Sequence, residues 1–163
     1  MTDWQQLTDA EIVDLATRLR TIDWSWRMED VTKLADQFGW RVLRARPDWV
    51  MLDNGFGMAS GRVGGRRGHA EDIDLRVTGF ATDDSDGRAQ VRDAFTRMVA
   101  ALTSSLGEPT LRKPGKAPEV RWAGTTTTLR LVQLSASVKL HLVTNAALAS
   151  HDETVELEEQ GLL

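Results

Sequence analysis

Cysteine is absent from this 163-residue chain, which excludes disulfides, thiolate zinc sites and cysteine nucleophiles. Long apolar runs are absent too, and none approaches the roughly 20 residues that a membrane span needs. The opening MTDWQQLTDAEIVDL lacks the basic n-region and continuous apolar core of a signal peptide. A cytoplasmic location with no membrane partner is the expectation. Excess positive charge is missing as well. With 24 acidic against 20 basic residues the net charge is −4, and phosphate binding needs a basic face, so nucleic acid is not the expected partner. The balance leaves room for a basic protein partner.

What is present is architecture. Within WAGTTTTLRLVQLSASVKLHLVTN, Leu129 and Leu131 alternate with Thr128, Arg130 and Val132. After a polar break at Ser135–Ser137, Val138, Leu140 and Leu142 alternate with Lys139, His141 and Val143. A period of two, repeated, predicts an antiparallel hairpin with one apolar and one polar face.

Upstream, Thr8 and Glu11 fit a capping box, and Ile12, Leu15, Ala16, Leu19 and Ile22 follow at helical spacing. A helix over Asp9–Arg20 is predicted. A shorter one carries Val31, Leu34, Ala35 and Phe38, with Gly39 suited to its left-handed end and Trp40 to fold back. Arg41–Ala45 and Trp49–Asp53 read as strands around Pro47-Asp48. Asn54-Gly55 signals a two-residue turn, with Phe56–Arg62 returning and Glu71–Thr78 next. Val91, Phe95, Met98, Leu102 and Leu106 mark a long helix over Gly87–Leu106, stopped by Gly107 and Pro109. The segment TLRKPGKAP reads as a loop before a strand at Glu119–Trp122. The acidic tail from about residue 150 reads as a frayed helix or a mobile end.

The order ααββββαβββ, without strict alternation, predicts a single α+β domain over residues 1–163. Its sheet should be mostly antiparallel, with helices packed on one face.

Chemistry-bearing residues have plain structural readings beside the functional ones. Gly61–His69 is glycine- and arginine-rich, yet lacks the Lys-Ser/Thr pair of a phosphate loop, and a strand follows it. A solvated hairpin loop is the simpler reading, with a carboxylate surface or RNA as its alternative ligands. Asp72 and Asp74 fall on the polar side of an alternating strand. Asp83, Asp84 and Asp86 precede a helix, where carboxylates cap and meet the dipole. Neither run has the spacing of a metal loop. His69, His141 and His151 stand beside no marked nucleophile, and Thr125–Thr128 reads as a strand entry. Trp24 and Trp26 suit the junction between the first two helices.

Three segments together carry a resemblance: TDAEIVDLATRLRTIDWSW, FGWRVLRARPDWVMLDNGFGMASG, and LGEPTLRKPGKAPEVRWAGTTTTLRLVQLSASVKLHLVTN. They resemble the actinobacterial domain-of-unknown-function family 6301 over nearly the whole chain, departing mainly in the Gly-Arg segment and the acidic tail. Trp24, Gly39-Trp40, Gly107-Glu108-Pro109 and Trp122 are its recurrent elements, all structural. The resemblance therefore implies no active-site residue. It implies small cytoplasmic proteins found with toxin and secretion genes.

No catalytic, cofactor-binding or metal-ligating residue is expected. The expected function is non-enzymatic protein binding, as an immunity protein that occludes a toxin domain. A secretion chaperone for an exported substrate is the alternative, and an Asp-dependent hydrolase the third choice. Candidate partner contacts are the carboxylates of Asp72, Asp74, Asp83, Asp84 and Asp86, with Trp24, Trp26 and Trp49 as anchors. The expected state is a monomer or weak homodimer.

Overall fold

The computed structural model describes residues 4–162. Thr8 caps the first helix in both directions: its hydroxyl accepts from the Glu11 amide at 3.2 Å, and Glu11 Oε1 accepts from the Thr8 amide at 2.9 Å. This helix, α1, spans Asp9–Arg20 and buries Ile12, Ala16 and Leu19. A connector and a single 3-10 turn, Met28–Asp30, lead into α2, Val31–Phe38. Gly39 ends α2 at φ +74°, and Trp40 stacks on Phe38 with ring centroids 4.5 Å apart.

Strands β1 (Arg41–Arg46), β2 (Trp49–Asp53), β3 (Gly61–Arg66) and β4 (His69–Arg76) come next. The long helix α3 (Ser85–Leu106) separates them from β5 (Leu111–Lys113), β6 (Glu119–Ala123), β7 (Thr127–Gln133) and β8 (Val138–Thr144). Helix α4 (Asn145–Glu159) follows. All eight strands form one sheet in the order β1-β2-β3-β4-β8-β7-β6-β5, and every pairing is antiparallel. The fold is α+β.

The register of the last hairpin follows its alternation. Leu129, Leu131, Val138, Leu140 and Leu142 are each at most 1% exposed and share one core with Ile12, Leu19, Met98 and Leu102 of α1 and α3. Full burial of each such side chain is worth about 1.5–3 kcal/mol, so this inner face dominates the stability of the sheet. Among the described residues no helix is long and apolar enough to cross a membrane.

Three segments depart from expectation. Asn54-Gly55 does not make a two-residue turn with a strand at Phe56–Arg62; residues 54–60 form a loop, and the returning strand starts at Gly61. The Gly-Arg segment is therefore not a loop but β3 itself, joined to β4 by the two-residue turn Arg67-Gly68. Glycine is required there by packing. A Cβ on Gly65 would stand 2.3 Å from the His69 carbonyl oxygen, at the point where the β3–β4 register shifts. The segment after Pro109 contributes the short edge strand β5.

The tail is helical from Asn145. Arg121 lies between Val120 and Trp122, which join the inner core, and so faces away from it. Its guanidinium bonds both carboxylate oxygens of Asp152 at 2.7 Å. Helix α4 thus lies over the outer face, across β7 and β8. Its main contacts with the sheet are to β7 and β8 rather than to β2, β3 or β4.

Candidate partner-binding site

Strand β4 ends on Arg76, whose side chain is buried at the end of the sheet. Its Nη2 donates to the Phe56 carbonyl at 3.0 Å, and its guanidinium carbon lies 3.9 Å from the centroid of the Phe80 ring. Burial pulls its pKa below the ordinary arginine range, and the Asp53 charge opposes that. One guanidinium thereby joins the β2–β3 loop to the segment leading into α3.

Both segments are tied down by their own backbone. Asp53 Oδ1 accepts from the amides of Gly55 at 2.8 Å and Gly57 at 3.2 Å. These bonds, the Gly55 one foremost, hold its carboxyl below the usual range. Ser60 Oγ accepts from the Asn54 amide, and Asn54 Nδ2 donates to the Arg76 carbonyl. On the other side, the Gly79 amide donates to Gln5 at 2.7 Å and the Ala81 amide to Ala136 at 2.8 Å. Phe80, between them, is 68% exposed, and Met58 on the partner loop is 79% exposed. A large apolar side chain held in solvent by fixed backbone is a feature of binding surfaces.

The acidic run begins three residues beyond Phe80, and its members differ in role. Asp84 is the N-cap of α3: it accepts from the Gly87 amide at 2.7 Å and from the Thr82 hydroxyl at 2.8 Å. These bonds, the amide first, hold its carboxyl low. Asp83 and Asp86 are exposed, with Arg88 lying 3.7 Å from Asp83. Gly87 completes the corner, since a Cβ there would meet the Thr82 carbonyl oxygen at 1.8 Å. Gly87→Ala should therefore lower stability by about 1–3 kcal/mol or more. A denaturation midpoint unchanged from wild type would contradict this.

The other candidates fall elsewhere. Trp49 lies opposite Gly64, which lies opposite Asp72, and Met51 opposite Arg62, which lies opposite Asp74. These residues share the outer face. There His141 Nδ1 stands 3.1 Å from Asp72 Oδ1, and Lys139 Nζ donates to Asp74 Oδ2 at 3.2 Å. Donor atoms of Asp72, Asp74 and His141 lie within 4.8 Å of one another, a set that could hold a divalent cation. Each carboxylate already has a nitrogen partner, and Asp74 Oδ1 is buried without one among the described residues. Thr128, on the same face, is committed to Asn145, donating to its Oδ1 at 2.7 Å.

Trp24 and Trp26 are half-buried and pack against the core, with centroids 5.2 Å apart. Sequence reasoning missed Phe80 and Met58. Phe80 lies outside the regular alternation of β4, just before an acidic run, and that juxtaposition was the available signal.

A sequence model of a family of unknown function (DUF6301) matches residues 10–144, from within α1 to the end of β8. The chain belongs to the DUF6301 family. No curated protein and no solved structure matches it. The span shared with the family holds the whole sheet, Arg76, Phe80 and the acidic corner, while α4 lies beyond it.

Proposed function

We propose that this DUF6301 protein is a non-enzymatic binding module that acts in the cytoplasm as an immunity protein, occluding a toxin domain with the Phe80 end of its sheet. The exposure of Phe80 beside Asp83 and Asp86 carries the reading. A few aromatic or apolar anchors supply most of the affinity in such interfaces, and rim carboxylates speed encounter with a basic partner. The backbone bonds around residues 54–60 and 79–84 prepay the ordering of the loops.

The test is co-expression with toxin domains encoded beside this chain. One of them should be neutralised, and the pair should co-purify at fixed stoichiometry. Failure to protect against any of them, together with binding to an exported and unfolded segment, would replace this reading with a secretion chaperone. Turnover by the purified protein that Asp72→Asn abolishes would replace it with a hydrolase.

A further inference from the structure

At the end of the sheet opposite Phe80, an open groove of about 480 Å³ runs between the Met28–Asp30 turn, α2 and the β1–β2 hairpin. Its walls are largely apolar, with Met28, Val31, Val42, Ala45, Pro47 and Val50 among them. Glu29, Thr32, Arg46 and Gly68 complete it.

Two observations set this groove apart from an ordinary packing defect. The first is charge. Arg27 pairs with Glu29 at 3.5 Å, Lys33 with Asp30 at 3.5 Å and Arg66 with Glu71 at 3.6 Å, so those charges cancel locally. Arg46, which lines the groove, and Arg67, next to its lining residue Gly68, remain without an ion-pair partner among the described residues, against the one carboxylate of Asp48 in the β1–β2 turn. In a chain of net charge −4 this corner is positive.

The second is backbone strain. Arg67 has φ +54° and Gly68 φ +80°, the left-handed pair of a tight hairpin turn. Asparagine or glycine takes the first of these positions with less strain than arginine. Trp26, at φ +58°, is a bulky residue in the same region of conformational space. It lies on the segment bonded to that turn, through Ala70 to Trp26 at 2.8 Å and Met28 to Gly68 at 2.9 Å. Local strain of this kind persists where the rest of the structure enforces it and gathers at ligand clamps.

From this geometry we infer a second docking surface: the groove receives an acidic protein segment that carries apolar side chains. Its aliphatic groups enter between α2 and β1, and its carboxylates meet Arg46 and Arg67. Guanidinium groups favour this because they fork to carboxylates. The surface lies at the opposite end of the sheet from Phe80, so its failure and the failure of the immunity reading are separable.

The experiment titrates the full-length protein into a short fluorescein-labelled peptide of glutamate and leucine, at low and moderate salt. Controls are a glutamate–serine peptide, a lysine–leucine peptide and a single-stranded oligonucleotide. The glutamate–leucine peptide should bind saturably and less tightly as salt rises, and each control at least tenfold more weakly. Arg46→Glu combined with Arg67→Glu should weaken the peptide at least tenfold. Should that double variant fold poorly, Arg67→Asn serves instead. Asparagine suits the turn, so the unfolding midpoint should hold or rise while affinity falls at least threefold. Equal binding by wild type and Arg67→Asn would overturn the proposal. So would stronger binding of the oligonucleotide, which would make the corner a nucleic-acid surface.

Discussion

Arg121→Ala should destabilise the protein by about 3–5 kcal/mol, because it strands charges that the fold has taken out of water. Arg121 is buried on the outer face beneath α4, with Glu119 accepting from its Nε at 2.5 Å and Asp152 held at 2.7 Å through both oxygens. Arg130 closes the network, donating to Glu119 at 2.7 and 2.9 Å. Against a typical total of about 5–15 kcal/mol, such a loss is a large share. Asp152→Asn removes only the partly exposed end of the network. It should cost about 1–2 kcal/mol and speed amide exchange in α4 while leaving β7 and β8 protected. An Arg121→Ala protein as stable as wild type would show that the network contributes nothing.

The same network sets an acid limit. Burial works to raise the Glu119 pKa, but hydrogen bonds and charge from Arg130 and Arg121 outweigh it and hold the carboxyl down at about 2, from an ordinary 4.5. A depressed folded-state pKa contributes stability that is fully present above the unfolded value. That contribution, about 3 kcal/mol, is lost as pH falls from near 4.5 towards 2. Glu119→Gln should flatten stability over this window, read by urea denaturation at successive pH values. An unchanged acid slope would contradict the assignment.

The second large effect lies at the proposed partner surface. With the proposed toxin partner docked at this end of the sheet, Phe80→Ala should speed dissociation by about 30-fold, equivalent to about 2 kcal/mol for a central anchor. It should leave folding nearly intact, because the ring is largely exposed and gives up chiefly a cation–π contact with Arg76. Asp83→Lys with Asp86→Lys should slow association about tenfold at low salt and reduce its salt dependence, since rim charges steer encounter. Asp84 is left in place in this test because it caps α3. Unchanged kinetics in both variants would remove this end of the sheet from the interface.

The regions legible in the sequence are those governed by local rules. Thr8 and Glu11 bond as their spacing requires, and the alternation from Leu129 to Leu142 fixes which face is buried. The regions that were not legible depend on partners distant in the chain. Asn54-Gly55 carries a turn signal, yet Asp53, Ser60 and Arg76 together stabilise a longer loop. Gly65 looks like a loop residue until the close approach of His69 explains it as strand. Arg121 and Arg130 sit at polar positions of alternating strands, where solvent is the natural expectation. The docking of α4 through Asp152 helps bury Arg121, and Arg130 is half-buried beside it on Glu119.

The candidate site shows the same division. Asp84 as a helix cap was legible from its place before α3, and the aromatic bulk of Trp24 and Trp26 pointed to packing rather than display, as their contact with the core shows. The cluster of Asp72, Asp74 and His141 needed the β4–β8 pairing, which brings together residues far apart in sequence. Phe80 owes its display to Arg76 beneath its ring, a contact no periodicity encodes.

The most direct measurement is amide hydrogen exchange of the protein alone and in complex with the toxin domain that the proposed function assigns to it. Exchange should slow at residues 54–60 and 79–88, the Met58 loop and the Phe80 segment with its acidic corner. Protection confined to the outer face of β2–β4, with both of these segments exchanging as in the free protein, would contradict the account.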